Sequence, residues 1–329
     1  MSYPADDAGD PATAYPLEPF EASFAPLRHR RKFEGRLWRH ILLFLLTLLT
    51  TTAAGALHYA SFLSEFSHRQ VGLSWGLLLH GFWYSGTLLA ILGAHEMGHY
   101  LLCRRYNVDA SLPYFIPMPP GIFLTGTLGA VIRIREAFPT RRVLFDIGVA
   151  GPIAGFVVLV PALFIGMTLS NIVAAPTEGS VLFLGEPLLF KIATYAVFGA
   201  VPDASTVNIH PMVFAAWFGM LATALNLLPF GQLDGGHITY ATLGRWSTPI
   251  SLATVGTAVA MTFVSISWLV MTTMMVVMLF MFGPRHPRVI YEDEPLDRGR
   301  IIIAIVALVM FILCFTPVPI QLQDLVGSR

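Results

Sequence analysis

His95-Glu96-Met97-Gly98-His99 lies within Leu77–Leu102, a run of 26 mostly apolar residues that is long enough to cross a bilayer as a helix. A helix turns 100° per residue, so His95 and His99, four apart, share one face. Two neutral imidazoles on one face can bind one zinc ion, and the adjacent Glu96 carboxylate can then take a proton from a water activated there. Ionisable groups inside an apolar run are expensive unless paired or bound, so three within five residues argue for a site rather than for two packed histidines near a helix end. His95 precedes Arg104 by nine residues. At 1.5 Å per residue the site would sit about 13 Å inside that charged boundary.

Composition agrees with a membrane setting: 55% of residues are hydrophobic, 12% are charged and the mean hydropathy is +0.67. The net charge is zero, which gives no reason to expect a nucleic-acid partner. Cys103 and Cys314 stand far apart in or beside apolar runs, so they offer neither a disulfide framework nor a thiol zinc site and read as core residues.

Charge and apolar runs together order the chain. Residues 1–27 are Pro- and Ala-rich, carry five acidic groups and no Lys or Arg, and read as a disordered tail unlike an organelle transit peptide. Arg28, Arg30, Arg31, Lys32, Arg36 and Arg39 then anchor the N-terminal side in the cytoplasm. Residues 28–76 hold this anchor, a first span near Ile41–Leu57 and an exterior loop. Residues 77–240 carry HEMGH and the Asp234 turn, and 241–329 the C-terminal spans.

Within the core, Pro113, Pro117, Pro119 and Pro120 forbid a helix, whereas Leu124–Arg135 mixes β-branched residues with glycines and predicts a strand or hairpin on the cytoplasmic side. A third span, Leu144–Leu169, contains Gly151 and Gly155, a small-residue pair that lets a neighbouring helix approach closely, and the helix of the two histidines is the expected neighbour. Val181–Val201 carries Glu186 and Lys191 and reads as an interfacial or re-entrant helix. Pro211–Leu228 is the fourth span. Pro249–Phe282 spans 34 residues. That is about 50 Å as one helix, too long for a bilayer, so two short helices meeting near Ser265–Ser267 fit better. Ile301–Phe315 is the seventh span. The layout is therefore an all-α polytopic membrane protein of about seven helices with a small membrane-associated strand or hairpin near the site. It leaves only Arg69, Lys191 and Arg329, of 20 Lys and Arg, outside.

A tetrahedral zinc site with one open position needs a third protein ligand. Asn226-Leu227-Leu228-Pro229-Phe230-Gly231-Gln232-Leu233-Asp234-Gly235-Gly236 is the best place to look, since Asp234 follows a span that runs in the same direction as the histidine helix. Other readings stay open: a zinc peptidase of another type whose third ligand is a Glu on a later helix, or a membrane scaffold or metal-handling protein using the same cluster.

HEMGH in one span and NLLPFGQLDGG beginning in a later one resemble the paired HExxH and NxxPxxxLDG motifs of the site-2 protease family of intramembrane zinc metalloproteases. GTLGAVIRIRE and FDIGVAGPIAG between them are also similar to that family, so the likeness covers about residues 77–240. It implies that 77–240 is the catalytic core, with His95, His99 and Asp234 as ligands of one Zn2+, Glu96 as catalytic acid and base, and Asn226 near the substrate or oxyanion. It also implies a partner that is a membrane protein substrate with a transmembrane helix, held in the lipid bilayer. The motifs leave no room between them for a PDZ domain, as in the subgroup with extra C-terminal spans. The setting expected is a bacterial plasma membrane, N-terminus and active site toward the cytoplasm. Of the remaining candidates, Asp146 reads as an arginine partner, His237 as a hydrogen-bonding residue, His210 as too far outward to ligate, and Met271–Met281 as apolar packing.

Overall fold

The computed structural model describes residues 32–65, 72, 74–121, 123–176, 179–283, 286–292 and 295–325. The acidic segment 1–27 and Arg28, Arg30 and Arg31 of the basic block lie outside the described residues. Ten α-helices are described: α1 (Leu37–Ser64), α2 (Trp75–His80), α3 (Phe82–Arg105), α4 (Arg141–Thr168), α5 (Leu188–Phe198), α6 (Pro211–Asn226), α7 (Asp234–Leu243), α8 (Ser247–Thr262), α9 (Trp268–Phe282) and α10 (Arg298–Cys314). Three antiparallel strand pairs accompany them: β1 (Tyr114–Pro117) with β2 (Thr127–Val131), β3 (Asn171–Ala174) with β5 (Ser205–Asn208), and β4 (Gly179–Leu184) with β6 (Ile320–Leu325).

Three helical stretches are long and apolar enough to cross a membrane: α1 with 28 residues, the α2–α3 run of 31, and α4 with 28. The other expected spans are shorter, with α6, α9 and α10 holding 16, 15 and 17 residues. Pro211 starts α6 and the Leu227–Leu233 turn ends it, which limits its length. Residues 249–282 divide as expected: α8 and α9 are separate, with Phe263–Ser267 between them. The single helix expected over Val181–Val201 is instead a strand and a helix, because Gly185-Glu186-Pro187 breaks the run and Pro187 caps α5.

The core lies among α3, α4 and α6, where Tyr84, Leu88, Ile91, Leu159, Leu163, Val213, Trp217 and Met220 are buried against one another. Gly151 and Gly155 make the close α3–α4 approach that their spacing predicts. A Cβ on Gly155 would stand 3.2 Å from the His95 Cβ, and one on Gly151 would fall on the His99 ring. Met271 and Met275 pack in a second apolar cluster with Trp268 and Phe230, and both cysteines are buried and free.

The β1–β2 hairpin falls on the stretch where a strand or hairpin is expected. It does not project past the helix ends but runs beside α1: His40 meets the Pro113 carbonyl at 3.0 Å, Thr50 donates to the Gly126 carbonyl at 2.7 Å, and His58 meets the Leu124 carbonyl at 2.8 Å. From His40 to His58 the helix rises about 27 Å. Tyr84 adds a donor to the Thr125 carbonyl at 3.1 Å. Helix side chains thus give the Pro113, Leu124 and Thr125 carbonyls partners and add a second one at Gly126.

Candidate metal centre

α3 presents His95, Glu96 and His99 inward, and they are 7, 8 and 6% exposed. Asp234 comes from the opposite side as the first residue of α7. Its position depends on Gly235 and Gly236: a Cβ on either would strike the carbonyls of Leu227–Gly231, so only glycine lets the turn after α6 fold back onto the start of α7. The result brings His95 Nε2 to 3.1 Å from Asp234 Oδ2, His99 Nε2 to 3.3 Å from Asp234 Oδ1, and the two Nε2 atoms to 3.2 Å from each other.

This donor set fits zinc. Ligand atoms about 2.0–2.1 Å from zinc at tetrahedral angles stand about 3.3 Å apart, close to the separations found. The His99 tautomer also suits a ligand. Its Nδ1 lies 2.7 Å from the Ile147 carbonyl, which can only accept, so Nδ1 carries a proton and Nε2, on the side of Asp234 and His95, is the ring atom available to ligate. Two buried imidazoles and a carboxylate held this closely need a cation or protons between them. Among the described residues, His95, His99 and Asp234 are the group whose ligand atoms lie close enough together to hold a metal ion.

Glu96 is one residue from His95, and its carboxylate faces the Ile132 backbone N–H, just past the end of β2. Asn226, the last residue of α6, brings Nδ2 to 3.5 Å from His95 Nε2. The five residues singled out by the two motifs therefore meet at one buried place.

The remaining candidates fall elsewhere. Asp146 is held by Arg300, with Nε 2.8 Å from Oδ1 and Nη2 2.5 Å from Oδ2, and by the Tyr106 hydroxyl at 2.5 Å. Its partner is an arginine, as expected. His237 meets His286 at 2.7 Å and stays outside the ligand group. His210 caps α6 by accepting from the Met212 N–H and lies among the rings of Tyr59, Phe62 and Trp83. Sequence reasoning missed the Ile147 carbonyl, the Ile132 amide, Tyr106, Arg300 and His286. The first two are main-chain groups, which leave no mark in a sequence.

Comparison with known proteins bears on the same stretch. The model of Peptidase family M50 matches residues 83–270, from the start of α3 into α9. The probable zinc metalloprotease EGY1, chloroplastic, of Arabidopsis thaliana is 38% identical over 162 residues, covering 48% of this chain and 29% of that protein. The probable zinc metalloprotease EGY2, chloroplastic, of Oryza sativa subsp. indica is 29% identical over 254 residues, covering 74% and 44%. The chain spans less than half the length of these curated relatives. No solved structure matches it. The matched residues include both histidines, Glu96, Asn226 and Asp234, and on this match the chain belongs to Peptidase family M50.

Proposed function

We propose that the chain is an intramembrane zinc metallopeptidase that hydrolyses peptide bonds in or near the membrane-spanning helices of membrane proteins. The observation that carries the reading is the buried convergence of His95, His99 and Asp234 beside Glu96, on a helix long and apolar enough to span a bilayer. His95, His99 and Asp234 would hold the zinc. When bound, it supplies a Lewis acid that acidifies water and polarises the scissile carbonyl. Glu96 takes the proton of the attacking water and delivers it to the leaving amine, with the Ile132 amide facing its carboxylate. The Asn226 Nδ2 offers a donor to the developing oxyanion.

A helical substrate presents no free carbonyl, so it must unwind locally, and its freed main-chain groups then need partners. β2 can supply them: it pairs with β1 on one side only, and its end leads to the residue that contacts Glu96. An unwound segment laid along that edge would extend past the ligand group.

The proposal keeps seven spans. Its support is that α6 and α9 are short apolar helices and that α8 and α10 are mostly apolar in sequence, since short spans are accommodated by bilayer thinning or by packing against longer neighbours. Sidedness rests on the Lys and Arg distribution, with the N-terminus and the site toward the cytoplasm. The setting proposed is a bacterial plasma membrane; the named relatives are chloroplastic. The domain layout, 28–76, 77–240 and 241–329, belongs to the same reading. The test is a comparison of membrane-protein fragments in cells carrying the intact chain or Glu96→Gln. Fragments that vanish in the variant are expected; identical fragment sets would favour a scaffold.

A further inference from the structure

Three elements meet at Asp146. It sits in the first turns of α4, Arg300 reaches it from α10 with two hydrogen bonds of 2.8 and 2.5 Å, and Tyr106, the residue that ends α3, donates its hydroxyl at 2.5 Å. Arg300 is itself paired with Asp297, whose carboxylate caps α10. Both flanks of this cluster lead to the metal site. Ile147, the next residue, supplies the carbonyl that fixes the His99 tautomer, and Tyr106 lies seven residues beyond His99 on the same helix. The cluster therefore ties the helix that carries the ligand to the helix that orients it, one or two turns from the contact itself. α10 begins at Arg298, outside the residues 83–270 that match the family.

The geometry points to Asp146, Tyr106 and Arg300 as positioning residues for the metal site. They hold α3 and α4 in the one register that sets the Ile147 carbonyl against His99 Nδ1, so α10 contributes to zinc affinity without touching the metal. The inference rests on the reading that His95, His99 and Asp234 bind zinc. Partners that orient metal-binding histidines typically change affinity by about 10- to 100-fold. One step further out, the lower figure applies.

A merely structural salt bridge makes a different prediction. Asp146 and Arg300 are part-buried, with side chains 14 and 24% exposed, so replacing both with apolar residues of similar size should cost the fold little, whereas removing one leaves a part-buried charge uncompensated. The experiment therefore uses the double variant Asp146→Leu/Arg300→Met, with Tyr106→Phe as the minimal change, in the full chain purified in detergent. Zinc dissociation constants come from competition with a chelator, cobalt absorption bands report ligand geometry, and the thermal midpoint of the metal-free protein reports the fold. The expected result is a double variant with a midpoint close to that of the unaltered chain, zinc binding about tenfold weaker and shifted cobalt bands; Tyr106→Phe shows the same in smaller measure. Unaltered zinc affinity and cobalt bands in a folded double variant would overturn the inference. His99→Ala separates the two layers: if it too bound zinc as tightly as the unaltered chain, the metal reading beneath would fall.

Discussion

Ile147 takes part in the site through its carbonyl alone, and Gly151 through the absence of a side chain. The imidazole of His99 occupies the space that a Cβ on Gly151 would fill, while its Nδ1 reaches the Ile147 carbonyl one turn earlier on α4. Gly151→Ala should therefore push the ring off its orienting partner. The added methyl overpacks a filled interior at a cost of about 1–3 kcal/mol, and zinc affinity should fall about tenfold or more. Chelator competition on the purified variant measures this; zinc binding equal to that of the unaltered chain would show that the α3–α4 contact does not set the ligand. At this scale the sequence was legible wherever a side chain carries the chemistry. His95, Glu96, His99, Asn226 and Asp234 stand out as rare polar residues in apolar surroundings at fixed spacings, and Asp146 as a charge that must find a partner. What could not be read was which arginine pairs with Asp146, because Arg300 is 154 residues away.

At the scale of elements, the hairpin shows the same division. β2 was legible from Leu124–Arg135, whose β-branched residues and glycines favour extended backbone. Its partner β1 was hidden by the prolines around it, and the β3–β5 and β4–β6 pairs could not be foreseen because their partners are far apart in sequence. The prediction at this scale concerns the free edge of β2. Gly129 holds φ at +105°, which proline cannot adopt, and its N–H already goes to Thr127 Oγ1 at 3.0 Å, so Gly129→Pro would disturb the hairpin as a whole. Val131→Pro is the cleaner probe, because Val131 ends β2 beside the residue that faces Glu96, and proline there disturbs that end of the strand without demanding a positive φ. Cleavage of a reporter span should slow by about tenfold, as expected for losing a hydrogen bond of about 1 kcal/mol and some strand geometry, with zinc content unchanged. Gly or Pro placed beside the scissile bond of the reporter should speed cutting. If substrate helix breakers and Val131→Pro both left the rate unaltered while zinc stayed bound, unwinding onto β2 would be wrong.

Across the whole molecule, the long helices α1, α2–α3 and α4 form the frame, and the shorter apolar helices complete seven crossings in the proposed layout. The two native cysteines are buried, so single cysteines introduced at Asp203 and Arg245 give a clean accessibility test. Membrane-impermeant thiol reagents should reach Cys at 203 from the exterior and Cys at 245 only after the cytoplasmic face is opened; labelling of both from one side would refute the seven-span order. The central claim is that His95, His99 and Asp234 bind the metal while Glu96 moves the proton. Its most direct test is one measurement on protein in proteoliposomes containing a reporter span, with zinc per chain and cleavage rate determined together for the unaltered chain, Asp234→Ala and Glu96→Gln. The account predicts one zinc per chain and turnover in the unaltered protein, weakened zinc binding in Asp234→Ala, and near-complete zinc with a rate reduced by at least about 100-fold in Glu96→Gln. Full zinc and full activity in Asp234→Ala, or undiminished cleavage by Glu96→Gln, would contradict it.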